Sequence, residues 1–240
     1  MEKKHINNEA LELLSEIDEI LTENRIWFSL SYGCVLGAVR EKGFIPWDRD
    51  IDIVIKKSDQ VKVREKLKEK LSDKFLYISC SKETVSSFDT ITIKGISEVD
   101  MHIDLYPLIG GPESEKKRYI FQKITRFIHR IADCKYVNIK RLKKKWKYPF
   151  LYIIKILEYL IPDKVIRTCI ESITSKYSLD ESEYLIPMGN DGKREEFMRK
   201  ELWLNVKRVQ FETLSLPIPE NYHEYLVNIY GEDYMIPKKY

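Results

Sequence analysis

The sequence predicts an α+β fold: a mixed β-sheet with helices laid against one face. Three observations predict it. Short segments of period-two alternation recur through the first half, clearest at Asp48-Arg49-Asp50-Ile51-Asp52-Ile53 and at Thr90-Ile91-Thr92-Ile93-Lys94. Stretches of helical period stand between them and dominate after Glu113. The 240 residues suffice for a sizeable core, as one large domain or two small ones. A net charge of +3 is too small to imply a nucleic-acid partner, and no base-reading motif accompanies the basic residues. The four cysteines, Cys34, Cys80, Cys134 and Cys169, form no CxxC pair, which argues against a zinc site. No apolar leader follows the N-terminus, and no apolar run reaches the roughly 18 residues of a membrane span. A cytoplasmic chain with reduced thiols is expected.

Residues 7–24 read as an amphipathic helix, with Leu11, Leu14, Ile17 and Leu21 on one stripe and Asn7 or Asn8 as cap. Residues 27–32 read as a first strand ending at Gly33. A short helix follows over 35–41, closed by Gly43. Pro46-Trp47 is a turn, and an aspartate-bearing strand runs to Lys56. Ser58 caps a charged helix over 59–71. Strand patterns follow at 75–81, 90–94 and 101–108, the last carrying Asp104 between Ile103 and Leu105. Gly110-Gly111-Pro112 ends this first region, giving a division at 1–112 and 113–240. In the second region, 114–134 and 150–177 carry helical periodicity. Residues 184–189 are a short strand or a loop, 208–211 a short strand, and 214–219 an extended connector because each proline biases its predecessor away from helix. A last helix spans 222–230 and stops at Gly231.

The chemistry concentrates between Gly33 and Ile53. Asp48, Asp50 and Asp52 are two residues apart, so in an extended strand their carboxylates share a face while Ile51 and Ile53 enter the core. Three carboxylates on one face repel one another. A hard divalent cation such as magnesium (or manganese) resolves the conflict, because the donors are all oxygen. Gly33 and Gly37 let backbone N–H groups of the following helix approach a phosphate closely. The bland alternative is a solvated strand edge that blunts aggregation. The flanking isoleucines argue for a buried strand instead.

Gly37-Ala38-Val39-Arg40, Gly43-Phe44-Ile45-Pro46-Trp47-Asp48 and Asp50-Ile51-Asp52 together resemble the signature of the LicD family, which includes bacterial phosphocholine transferases and the fukutin-type proteins. Ile103-Asp104-Leu105-Tyr106-Pro107-Leu108 resembles the family's later acidic strand. Leu216-Pro217-Ile218-Pro219-Glu220-Asn221-Tyr222 through Tyr230-Gly231-Glu232-Asp233-Tyr234-Met235 resembles its closing motif. The chain departs from the family at Arg49, where an aspartate is usual. By alternation that position faces away from the other acids, so the departure bears on donor choice more than on metal binding.

The resemblance implies a nucleotidyltransferase-like mixed sheet as catalytic core over 1–112, with a mainly helical 113–240 packing on it and completing the site. It implies Asp50, Asp52 and Asp104 as magnesium or manganese ligands. Asp104 completes the metal site or accepts the acceptor's proton, and Asp48 can do either from the same face. Gly33 and Gly37 admit the donor phosphates, Arg40 clamps one of them, and Trp47 or Tyr106 stacks on a base or a choline cation. Salt bridging and core packing compete with the last roles. The implied donor is a CDP-linked alcohol, CDP-choline first, and the acceptor a sugar hydroxyl of a cell-surface glycan, lipid-linked in some cases, with release of CMP. A nucleotidyltransferase acting on an NTP and an inactive nucleotide- or glycan-binding module are the alternatives. Lys135, Lys140, Arg141, Lys143, Lys144, Lys145 and Lys147, followed by the apolar run to Leu157, suggest a peripheral membrane contact through 135–157, placing the protein at the inner face of the membrane. A solvated face followed by a core helix is the simpler reading of that segment.

Overall fold

The computed structural model describes residues 2–80, 86–97, 101–136, 161–189 and 196–237. In chain order the elements are α1 (Glu2–Glu23), β1 (Phe28–Leu30), α2 (Tyr32–Arg40), β2 (Asp50–Lys56), α3 (Gln60–Lys70), β3 (Phe75–Ile78), β4 (Asp89–Ile93) and β5 (His102–Gly111). They continue as α4 (Glu115–Tyr136), α5 (Asp163–Thr174), β6 (Tyr184–Pro187), β7 (Met198–Arg199), α6 (Lys200–Leu204), β8 (Val206–Phe211), β9 (Leu214–Pro219) and α7 (Tyr222–Tyr230). The architecture is the expected α+β arrangement, a mixed sheet flanked by helices.

β5 is the axis of the sheet. β2 pairs with it in parallel, from Asp50 beside His102 to Lys56 beside Leu108. β1 pairs antiparallel with the outer edge of β2. On its other side the first half of β5 pairs antiparallel with β4, which pairs with β3. Its second half pairs antiparallel with β6, and β6 with β7. Parallel strands need a long crossover. Here α3, β3 and β4 supply it.

The back of the sheet holds the core. α1 buries Ala10, Leu13, Leu14, Ile17 and Leu21, the stripe its periodicity requires, and α3 adds Val63 and Leu67. Both stripes join Ile51, Ile53, Ile55, Ile103 and Leu105 in one cluster. Truncating one such residue, Ile53→Ala, costs about 2–5 kcal/mol. One carboxylate also lies behind the sheet. Asp89 is fully buried and accepts from Arg64 Nη2 at 3.1 and 3.2 Å, from Tyr77 Oη at 2.8 Å and from the Cys80 amide at 2.7 Å.

Four local expectations are revised. α2 begins at Tyr32, directly after β1, so Gly33 lies inside its first turn; Tyr32 turns the corner with φ +45°. Asp48 precedes β2 and sits in a turn closed by its amide on the Ile45 carbonyl, 3.1 Å away. Gly110 and Gly111 do not end the region but continue β5 beside β6, because neighbours crowd them. A Cβ on Gly110 would meet the Ser182 hydroxyl at 2.3 Å, and one on Gly111 the Phe197 ring at 2.6 Å. The 214–219 connector is a strand: β8 and β9 form a hairpin on which Pro217 and Pro219 sit opposite Arg208 and Val206. This two-stranded edge tolerates prolines. The 135–157 segment and the start of the 150–177 helical stretch lie, beyond Tyr136, outside the described residues.

The later part of the chain closes the front of the sheet. The β8–β9 hairpin packs on β1, where Ser29 Oγ donates to the Pro217 carbonyl at 3.4 Å. α7 covers α2, with Tyr225 Oη accepting from the Tyr32 amide at 2.9 Å. Tyr225 packs edge-on against the buried Trp203, ring centroids 5.2 Å apart.

Candidate active site

The front of the sheet gathers the acids. Parallel register sets Asp52 beside Asp104 and Asp50 beside His102, with Val54 beside Tyr106 one step further on. Neighbouring strands lie about 4.8 Å apart, so side chains in register on one face stand within mutual reach. Asp104 is buried and rigidly held. Thr90 Oγ1 donates to its Oδ1 at 2.7 Å and Tyr106 Oη to its Oδ2 at 3.1 Å, while His102 Nε2 lies 3.5 Å from Oδ2. Thr90 reaches it because antiparallel register places Thr90 opposite Asp104.

Asp48 joins the group from its turn. Its carboxyl is hydrogen-bonded to that of Asp50, and its Oδ1 also accepts from the Arg49 amide at 3.3 Å. Burial, the hydrogen bond with Asp50 and the charge of Asp50 push its pKa up to about 7. Asp52 is held well above the ordinary carboxylate range by burial first, then by the charges of Asp50, Asp104 and Asp48; His102 opposes these only in part. The site therefore retains protons as it stands, and a hard divalent cation relieves the same repulsion. Among the described residues no three His, Cys, Asp or Glu side chains already form a metal-coordinating group. Asp50 is exposed and Asp48 half-buried in its turn. The all-oxygen, anionic donor set fits magnesium or manganese by its chemistry.

The start of α2 abuts these acids. A Cβ on Gly33 would stand 2.4 Å from Asp48 Oδ2, so the close approach needs a glycine. α2 has no side-chain cap on Ser31, whose buried hydroxyl lacks a hydrogen-bond partner, as does the buried hydroxyl of Tyr32. Helix N-termini bind anions through their free amides. At this helix start the Ser31, Tyr32 and Cys34 amides are already donated, to the Asp52 carbonyl at 2.9 Å, to Tyr225 Oη at 2.9 Å and to the Ser31 carbonyl at 3.0 Å, which leaves the Gly33 amide and the Ser31 hydroxyl as donors beside the acids.

Of the other sequence-selected residues, Gly37 and Arg40 are engaged away from the acids, while Trp47 adjoins Asp48 and Tyr106 donates to Asp104. Gly37 is buried where α2 crosses the following turn, and a Cβ there would meet the Gly43 carbonyl at 2.4 Å. The Arg40 guanidinium is tied to Glu41 Oε1 at 2.8 Å and to the Tyr234 carbonyl at 3.3 Å. Trp47 is half exposed beside Asp48, and Tyr106 is buried between Tyr32 and Phe88.

Several residues at the site escaped the reading of local sequence. Thr90 and Ser31 are two. Tyr230 of α7 is a third: burial raises its phenol pKa, and the charges of Asp52, Asp48 and Asp50 raise it further, which places the ring beside the acids. Glu196 is a buried carboxylate near Tyr32 and Tyr225. Cys34 lies against Asp52, and burial pushes its thiol up, so it is not a nucleophile. The closing motif contained Tyr230, but nothing local to it says that α7 folds back onto α2.

Comparison with known proteins identifies the family. Residues 25–150 match the family model described as LicD/FKTN/FKRP, nucleotidyltransferase domain. The lipopolysaccharide cholinephosphotransferase LicD of Haemophilus influenzae is 26% identical over 241 aligned residues, covering 94% of this chain and 88% of that protein. An uncharacterised protein of Rickettsia typhi is 30% identical over 93 residues, 36% of this chain and 29% of its own length. A second, from Rickettsia prowazekii, is 39% identical over 54 residues, 22% of this chain and 20% of its own.

Proposed function

Because the chain belongs to the LicD/FKTN/FKRP nucleotidyltransferase-domain family, we propose that it is a metal-dependent transferase that moves phosphocholine from CDP-choline to a sugar hydroxyl of a cell-surface glycan. A relative aligned over nearly the whole chain, named a lipopolysaccharide cholinephosphotransferase, supports the phosphocholine and the glycan. The observation that carries the reading is the register of β2 on β5. It sets Asp52 beside Asp104, with Asp50 and Asp48 crowding them at the glycine-lined start of α2.

The bond formed joins the acceptor oxygen to the phosphorus of phosphocholine; the bond broken is that phosphorus to the bridging oxygen, which leaves with CMP. Asp50, Asp52 and Asp104 would hold the cation. When bound, it supplies charge neutralisation for the two donor phosphates. At the start of α2 the Gly33 amide and the Ser31 hydroxyl bind the phosphate oxygens; the Ser31, Tyr32 and Cys34 amides are already donated to the Asp52 carbonyl, to Tyr225 Oη and to the Ser31 carbonyl. Thr90 and Tyr106 fix Asp104 so that its carboxylate does not swing with the substrate. Asp48 stands in a turn off the strand, half-buried, and takes the proton from the attacking hydroxyl. Tyr230 lies within electrostatic reach of Asp52, Asp48 and Asp50.

The test is CMP release from CDP-choline, CDP-ethanolamine, CDP-glycerol and CDP-ribitol with magnesium and a soluble glycan acceptor. CMP from CDP-choline, with at least about a hundredfold loss in Asp52→Asn, is expected. Pyrophosphate release from an NTP, or full activity in Asp52→Asn, overturns the assignment.

A further inference from the structure

α4 has two apolar faces, and among the described residues only one is packed. Inward, Phe121 packs with Ile109, Ile186 and Met188, and Ile128 packs with Ile166 and Ile170 of α5. Outward, Tyr119 and Ile120 are each 56% exposed, Ile124 48% and Phe127 64%. Lys116, Lys117 and Lys123 are exposed on the same side. Residues at i, i+4, i+7 and i+11 lie within about 60° of one another on a helix. Lys116, Ile120, Lys123 and Phe127 therefore form one stripe, alternately basic and apolar, flanked by Tyr119 and Ile124. Lys123 lies over the Tyr119 ring, 5.2 Å from its centroid. The stripe carries no acidic residue.

We propose that this outer face of α4 docks the protein on an anionic phospholipid surface. The alternation decides between occupants. A protein partner of ordinary composition would bury these lysines at a desolvation cost. At a bilayer surface the lysine stems lie along the apolar boundary while their ammonium groups stay among anionic headgroups. Charge complementarity thus matches a sheet of negative headgroups above an apolar layer. The contact is lateral: among the described residues no helix is long and apolar enough to cross a membrane. The sequence after α4 has the same bias, with no acidic residue from Cys134 to Leu157. The proposal is independent of the reaction proposed above, since α4 carries none of the site residues.

The experiment is co-sedimentation of the full chain with vesicles of phosphatidylcholine alone and of phosphatidylcholine with phosphatidylglycerol. Binding to the anionic vesicles is expected. It weakens about tenfold or more in Ile120→Ser/Phe127→Ser and in Lys116→Gln/Lys117→Gln/Lys123→Gln. The charge-matched control Lys62→Gln/Lys66→Gln/Lys70→Gln on α3 retains it. Circular dichroism confirms that each variant is folded. No binding to anionic vesicles, equal binding to neutral ones, or unchanged binding in the folded α4 variants overturns the proposal. So does sedimentation velocity showing that the face joins two copies of the chain.

Discussion

At the scale of single residues, the site is written as a conflict among charges, and pH exposes it. Asp48 titrates near 7 when folded, mainly through burial, and Asp52 is also raised. An unfolded aspartate titrates near ~3.9. Between those values the folded protein holds protons that the unfolded chain has lost, so these residues make stability fall as pH rises from about 4 through about 7. Metal-free protein is therefore expected to melt lower at pH 8 than at pH 6. Asp48→Asn flattens that slope, and magnesium added at pH 8 reverses it. Scanning fluorimetry in chelator, with and without added magnesium, measures all three. A wild-type melting temperature that rises across this interval, and keeps its slope in Asp48→Asn, contradicts the account. Alternation selects Asp48, Asp50 and Asp52, and the resemblance adds Asp104; the structure sets Asp50, Asp52 and Asp104 on one face of β2 and β5, because strand periodicity is a local property. Asp48 joins them through a turn rather than through alternation. Tyr106 stands two residues from Asp104 on the same strand, within reach of alternation; the hydroxyl of Thr90 was beyond reach, since no local pattern states which strand lies beside which.

At the scale of elements, β4 works in both directions. Thr90 points forward to Asp104, while its neighbour Asp89 points back into the ion pair with Arg64. Arg64→Leu leaves Asp89 buried with a lost partner, and a destabilisation of about 3–5 kcal/mol is expected, read as a lowered urea midpoint. Because β4 also holds Asp104, transfer activity is expected to fall before global unfolding. Arg64→Leu/Asp89→Leu, which removes both charges, recovers part of the stability. A single variant within about 0.5 kcal/mol of wild type would show that the pair is not structural. On α7, Tyr230→Phe keeps the ring near the acids and removes only the hydroxyl. It is expected to leave the melting temperature nearly unchanged and to lower kcat if that hydroxyl contacts donor or acceptor. Helices and strands of clear period were legible in the sequence. The β8–β9 hairpin was not, because two prolines mask a strand whose edge position excuses them.

At the scale of the whole molecule, the composition changes after Pro112 but the core does not stop there. One cluster runs from Ala10 through Ile53 and Leu105 to Leu185, Trp203, Tyr225 and Tyr234. β5 finds its second-half partner in β6, and the corner at Tyr32 is tied down by Tyr225. A fragment of residues 1–112 would leave Leu108 and Ile109 on an unpaired strand edge and remove the ring packed over α2. Unpaired edges and uncovered apolar surface drive aggregation rather than folding. The fragment is expected to lack near-ultraviolet circular dichroism and to bind a hydrophobic dye. The full chain, by contrast, is expected to unfold in one urea transition, with far-ultraviolet ellipticity superimposing on the tryptophan fluorescence of a Trp27→Phe/Trp47→Phe/Trp146→Phe variant that retains Trp203. The two signals sample different parts of the molecule, Trp203 beneath α7 in that cluster and helical ellipticity weighted by α1 in the same cluster and by α4 outside it. Transitions separated by more than their widths, or a dispersed proton spectrum from the fragment, would mean that the site is completed by docking between two independent units. Coincident transitions mean that the acids and the residues beside them are assembled in the same step that forms the core.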